Sequence, residues 1–210
     1  MPLPAIHGRA SGGRRLRGRR PTDVGKAMSP KVAAAFADIL RKRFYPSRSC
    51  SVLEVGASTS TLLSIPLLRD ARKVALNLQF GNPAALSRTA ELIVGNGNAL
   101  GFPDETFDCV MSCSAMEHDA YFWKTAAESR RVLKKGGLFV VGVPIYRTLP
   151  TDYRYTTLTY ARHGLSYNAD FYRFSEQAVR EVFFEGYEAV TDEVLVRRYP
   201  NPYFVAAGRK

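Results

Sequence analysis

Two stretches of this sequence carry residue types that could do chemistry. His118 follows an apolar, strand-like run and the acid Glu117. An imidazole titrates near neutrality, so His118 is the candidate proton acceptor. His163, within a long irregular stretch, is the alternative base, and His7 belongs to an arginine-rich segment far from either. Glu117 reads as an orienting residue rather than a base. The second stretch is VLEVGASTS, residues 52–60. Val52 and Leu53 lead through Glu54 into a turn at Gly56, the way a buried parallel strand hands its chain to a nucleotide-binding loop. Such loops usually carry several glycines. Here Gly56 stands alone, with Ser58 and Ser60 where others are expected. Cys50, Cys109 and Cys113 lack a second pair or histidines at metal-ligand spacing. They read as reduced thiols of a cytoplasmic protein, and no metal is expected.

Positioning these residues takes a sheet. Mostly apolar runs at 51–55, 74–78, 91–94, 109–112 and 138–143 read as strands buried on both faces. An amphipathic helix begins at Ser29-Pro30, with Val32, Phe36, Ile39 and Leu40 on one face. A second helix is expected over 121–133, ended by the cations and glycines of KKGG. Pro66 falls where the helix after the first loop should continue, so that helix is expected to be short or kinked. After Pro144 the periodicity breaks into a tyrosine- and arginine-rich stretch running to about residue 174, a long insertion of the kind that is usually functional. A helix capped by Ser175 and stopped by Gly186 follows, then two strands joined near Pro200-Asn201-Pro202. The expected fold is α/β: a Rossmann-like, doubly wound, mostly parallel sheet closed by an antiparallel C-terminal hairpin. In such sheets ligands bind beyond the carboxyl ends of the strands. That would gather the Gly56 turn, the residues after Leu76, GNGN at 95–98 and SCSAMEH at 112–118 into one crevice.

The chain has 210 residues, 46% hydrophobic and 23% charged, ordinary values for one globular domain. No apolar run approaches the roughly 18 residues of a membrane span, and no secretory leader is visible. The net charge is +11, but six arginines precede the first acid, Asp23. Without residues 1–22 the balance is 24 basic against 19 acidic side chains, a net of +5. Segment 1–22 reads as a disordered, solvated tail and 23–210 as the domain. A body at +5 is not a strong nucleic-acid footprint.

The pieces also carry a family resemblance, over residues 52–197. The chain resembles the class I S-adenosylmethionine-dependent methyltransferases of the small-molecule type. The specific part is GNGNALGFPDETFDCVMSCSAMEHDAYFWKTAAESRRVLKKGGLFVVGVP. Gly95-Asn96-Gly97, Leu100-Gly101-Phe102, Thr106-Phe107-Asp108, Glu117-His118 and the run from Arg131 to Gly137 match the family's motifs in order. DFYRFSEQAVREVF is similar to a segment of one branch.

The resemblance implies S-adenosyl-L-methionine as cofactor, held by Glu54, Gly56, Ala57, Ser58 and Ser60 of the first loop. It puts Asn77 where the family has an acid on the ribose hydroxyls, and Asn96 and Gly97 where it meets the adenine. Ser112 and Ser114 would line the methionine part, and Tyr146, Arg147, Tyr172 and Arg173 the acceptor side. Trp123 is expected to pack on its helix. Serines replace glycines at 58 and 60, and amides replace acids at 77 and 96. Each change weakens contacts without removing every hydrogen-bonding atom. The leading expectation is methyl transfer to a small-molecule oxygen or nitrogen, such as that of a saccharide or secondary metabolite. A catalytically silent binding protein is the alternative, and a nucleic-acid methyltransferase using the arginine tail ranks third. Oligomeric state is not legible.

Overall fold

The computed structural model describes residues 28–146, 171–197 and 202–210. Helix α1 spans Pro30–Arg43, with proline in its first turn and three cations in its last. Ser29 caps it through its carbonyl, which accepts from the amides of Val32 and Ala33, rather than through its side chain. Five strands follow: β1 Ser51–Val55, β2 Arg72–Asn77, β3 Glu91–Val94, β4 Phe107–Cys113 and β5 Leu133–Pro144. A single turn, α2 Pro83–Leu86, precedes β3, and α3 Phe122–Val132 leads into β5. The chain closes with α4 Glu176–Ala178, continued by a π turn over Val179–Phe183, then β6 Ala189–Arg197 and β7 Tyr203–Arg209.

The seven strands form one sheet in the order β3-β2-β1-β4-β5-β7-β6. Neighbours from β3 to β5 are parallel, and β7 runs antiparallel between β5 and β6. The strand order therefore reverses between β1 and β4, which fixes where a crevice opens. Alternation along each strand feeds two cores. Val52, Leu138 and Val140 pack with Phe36, Ile39 and Leu40 of α1 on one face. Leu53, Phe139 and Val141 pack with Phe122, Val132 and Phe183 on the other. Both faces are apolar because both are covered.

One local expectation changes, and two others hold. KKGG does not end α3: Leu133 is already extended and the four residues lie within β5, where the pairing with β4 slips between Phe107 and Cys109. Gly136 absorbs the irregularity with φ +69°. The helix after the first loop is replaced by two short 3-10 turns, Leu62–Ser64 and Pro66–Leu68, because Pro66 has no amide to continue a helical ladder. Trp123 packs on its own helix as expected, edge-on to Tyr121 and Phe122, while remaining 45% exposed. Ser175 does cap α4, its hydroxyl accepting from the Ala178 amide at 2.9 Å, and Gly186 stands after it at φ +74°. The segment 1–22, His163 and Arg147 lie outside the described residues.

Candidate functional site

A cleft of about 510 Å³ opens beyond the carboxyl ends of β1, β2, β3 and β4, within the range of small-molecule sites. Gly56, Ser58, Asn77, Asn96, Gly97, Ser114 and His118 line it, gathered from four separate loops. Among the described residues no helix is long and apolar enough to cross a membrane. No group of three or more His, Cys, Asp or Glu side chains converges among them either.

The first loop is held from beneath. Glu54, 2% exposed, does not line the cleft. Its carboxyl accepts from the Thr61 hydroxyl and from the Leu62 amide at 3.0 Å, tying the strand end to the first 3-10 turn. Burial outweighs these bonds and raises its pKa to about 7. Gly56 takes φ +81°, and a Cβ there would stand 2.3 Å from that of Ala115. No side chain fits, so the lone glycine is obligatory. The amides of Gly56 and Ala57 both donate to the Leu76 carbonyl, so the turn's first two donors serve the fold.

Asn77 faces the cleft yet serves the same loop. Its Nδ2 donates to the Ala57 carbonyl at 2.7 Å, and its Oδ1 accepts from the Leu78 amide at 2.8 Å. An aspartate could make only the second of these bonds. Asn96 is tied likewise, its Oδ1 accepting from the Asn98 amide at 2.9 Å. Ala57, Ser60 and Ser112 do not line the cleft. Ala57 is buried under the turn, and the Ser112 hydroxyl, fully buried, donates to the Val55 carbonyl at 3.0 Å. Ser114 does line it, at φ +51°, its hydroxyl 2.9 Å from that of Tyr203.

His118 ends the short turn Met116–His118 and is partly exposed in the cleft. The buried Glu117 carboxyl lies 3.9 Å from its Nε2. Tyr146, Tyr172 and Arg173 do not line the cleft. The Tyr172 hydroxyl donates to the Ala120 carbonyl at 2.9 Å, and its ring stacks on Phe174. Phe171 does line the cleft, anchored by its amide to the Glu117 carbonyl at 2.8 Å.

Sequence reading missed Asp119, Tyr121, Thr125 and Phe171, all of which line the cleft. Asp119 alone had a legible signal: an acid just ahead of a helix, here accepting from the Tyr121 amide at 2.8 Å.

Residues 53–141 match a family model described as a methyltransferase domain. Over 111 residues, 52% of the chain, the sequence is 30% identical to malonyl-(acyl-carrier protein) O-methyltransferase 1 of Coxiella burnetii, strain RSA 493 / Nine Mile phase I. The matched part spans only 39% of that relative. Among solved structures, a 1,6-didemethyltoxoflavin-N1-methyltransferase of Burkholderia thailandensis, crystallised with 1,6-didemethyltoxoflavin and S-adenosylhomocysteine, superposes with a TM-score of 0.63 at 17% identity. That likeness covers 85% of this chain and 76% of the other. The (4+2)-cyclase SpnF superposes at 0.64 with 15% identity, over 90% and 85% of the two chains. The fold thus hosts more than one chemistry. The matched methyltransferase domain over residues 53–141 and the β3-β2-β1-β4-β5-β7-β6 sheet give this chain the class I methyltransferase fold.

Proposed function

We propose that the chain methylates an oxygen or nitrogen of a small-molecule acceptor, using S-adenosyl-L-methionine bound in the cleft. The observation that carries this reading is the convergence, at the strand-order reversal, of the Gly56 turn, Asn77, the 95–98 loop and Ser114 around one cavity. The cavity fits such a ligand in size, and Gly56 lets its backbone turn where any side chain would collide. Gly56, Ser58 and Ser114 are offered to the amino-acid end, Asn77 to the ribose, and Asn96 and Gly97 to the base. When bound, the cofactor supplies an electrophilic methyl group on a sulfonium.

This chain's own part is to orient the acceptor and to receive its proton. His118 takes the proton, with the Glu117 carboxyl, 3.9 Å from its Nε2, as the orienting neighbour. Tyr146, Tyr172 and Arg173, with Arg147 outside the described residues, are assigned to the acceptor side. Since the Tyr172 hydroxyl is committed to Ala120, that ring shapes the wall through its face.

The reading of a catalytically silent binding protein draws on one observation: Asn77 and Asn96 spend their side chains on the protein. Calorimetric titration with S-adenosylmethionine and S-adenosylhomocysteine separates the two. Micromolar binding of both is expected. No binding up to millimolar concentration, by a chain shown to be folded, overturns the enzymatic reading.

A further inference from the structure

We infer that Asp119 is a positioning residue for the base-binding end of the cleft, acting through Asn98 and Thr125. The inference rests on the cofactor reading above and specifies it. Asp119 is the one carboxylate lining the cleft among the described residues. The two positions at which the family resemblance leads one to expect acids hold Asn77 and Asn96 instead.

The geometry is a closed triangle. Asn98 Nδ2 donates to Asp119 Oδ2 at 2.7 Å and to Thr125 Oγ1 at 2.8 Å. The Thr125 hydroxyl, having accepted from Asn98, donates in turn to the same Asp119 oxygen at 2.7 Å. The other oxygen, Oδ1, accepts from the Tyr121 amide. Three donors therefore converge on one side chain, and both of its oxygens must accept.

The triangle joins two pieces of chain that no strand pairing connects: the loop after β3 and the start of α3. Its effect reaches the ligand-facing atoms in two ways. The Asn98 amide holds Asn96 Oδ1, so fixing Asn98 fixes the acceptor that Asn96 presents. Thr125 is 2% exposed and stands directly under Gly97, where an added Cβ would lie 2.7 Å from its Oγ1 and 3.2 Å from Val55 Cγ1. The 95–98 backbone is thus seated on Thr125 at one point and tethered to Asp119 at the next. A loop so held needs no ordering when a base enters, which preserves affinity.

Asparagine at 119 breaks this whichever way it turns. Its NH₂ must face either the Tyr121 N–H or the Asn98–Thr125 donors. The test compares D119N, T125V and T125S as full chains, with circular dichroism to confirm folding. The probes are S-adenosylhomocysteine and adenosine. We expect D119N and T125V each to bind both ligands about tenfold more weakly, the same factor for each because the loss lies at the adenosine end. T125S, which keeps the hydroxyl, should bind like the wild type. A structural role alone would lower the melting temperature and leave both affinities within twofold of wild type; that result overturns the inference. So does a loss confined to S-adenosylhomocysteine with adenosine unchanged. Failure of the wild type to bind S-adenosylhomocysteine sinks the cofactor reading itself, a separate outcome.

Discussion

Asn77 donates its amide to the carbonyl of Ala57 across 2.7 Å, so the end of β2 braces the turn that leaves β1. The residue standing where the family resemblance implies an acid is thus part of the loop's support. Replacing it by aspartate would set a carboxylate oxygen against a carbonyl oxygen. Asn77→Asp is expected to destabilise the chain by about 1–3 kcal/mol, the cost of a buried group left unsatisfied. It should not tighten S-adenosylhomocysteine binding. Urea unfolding with a parallel titration checks this; tighter binding at unchanged stability would show that Asn77 is a weakened ligand contact instead.

Glu54 sets a pH dependence. Its folded-state pKa is raised from 4.5 to about 7, chiefly by burial, with bonds from Thr61 and the Leu62 amide opposing. A carboxyl raised in the folded state binds its proton there more tightly than in the unfolded chain. Its contribution is therefore fully present below pH 4.5 and is lost as pH rises toward 7. Glu54→Gln keeps an acceptor for Thr61 and removes the titration. The variant should gain on the wild type by up to about 3 kcal/mol between pH 4.5 and 8, measured by urea denaturation across that range. A constant difference between the two would mean that Glu54 is ionised throughout.

The hydroxyl of Tyr187 is buried with no hydrogen-bond partner among the described residues. Its ring stacks on Phe139 and meets Phe184 edge-on, and burial raises its pKa. Tyr187→Phe keeps those contacts and relieves the stranded hydroxyl. Thermal unfolding should show the variant stabilised by about 1 kcal/mol. A loss of similar size would reveal a partner for that oxygen.

His118 carries the catalytic proposal. His118→Ala should lower kcat by about 10²–10⁴, the usual contribution of a positioned base, while the KM for S-adenosylmethionine changes little. A variant that keeps full kcat on an accepted substrate removes His118 from the chemistry.

The strands were legible because their mostly apolar runs mark a sheet buried on both faces. Val52 and Leu53, or Leu138 and Phe139, announce a sheet buried on both sides. Gly56 was legible as a turn, since an apolar run ending in a lone glycine has few other uses. Less legible was what each polar side chain does once the turn is made. The family resemblance put Glu54 and Ser112 at the cofactor; neither lines the cleft, and their oxygens bond the Leu62 amide and the Val55 carbonyl instead.

The sequence by itself determined the strands of the sheet and the order of its motifs, because those rest on apolar patterning and spacing along the chain. Only the tertiary structure decided that Asp119 and Thr125 meet Asn98, or that Asn77 supports Ala57. Those bonds join segments brought together at the carboxyl edge of the sheet. A hydrogen bond between residues 20 or more positions apart leaves no periodic trace, and its partners are fixed only when the strands pair.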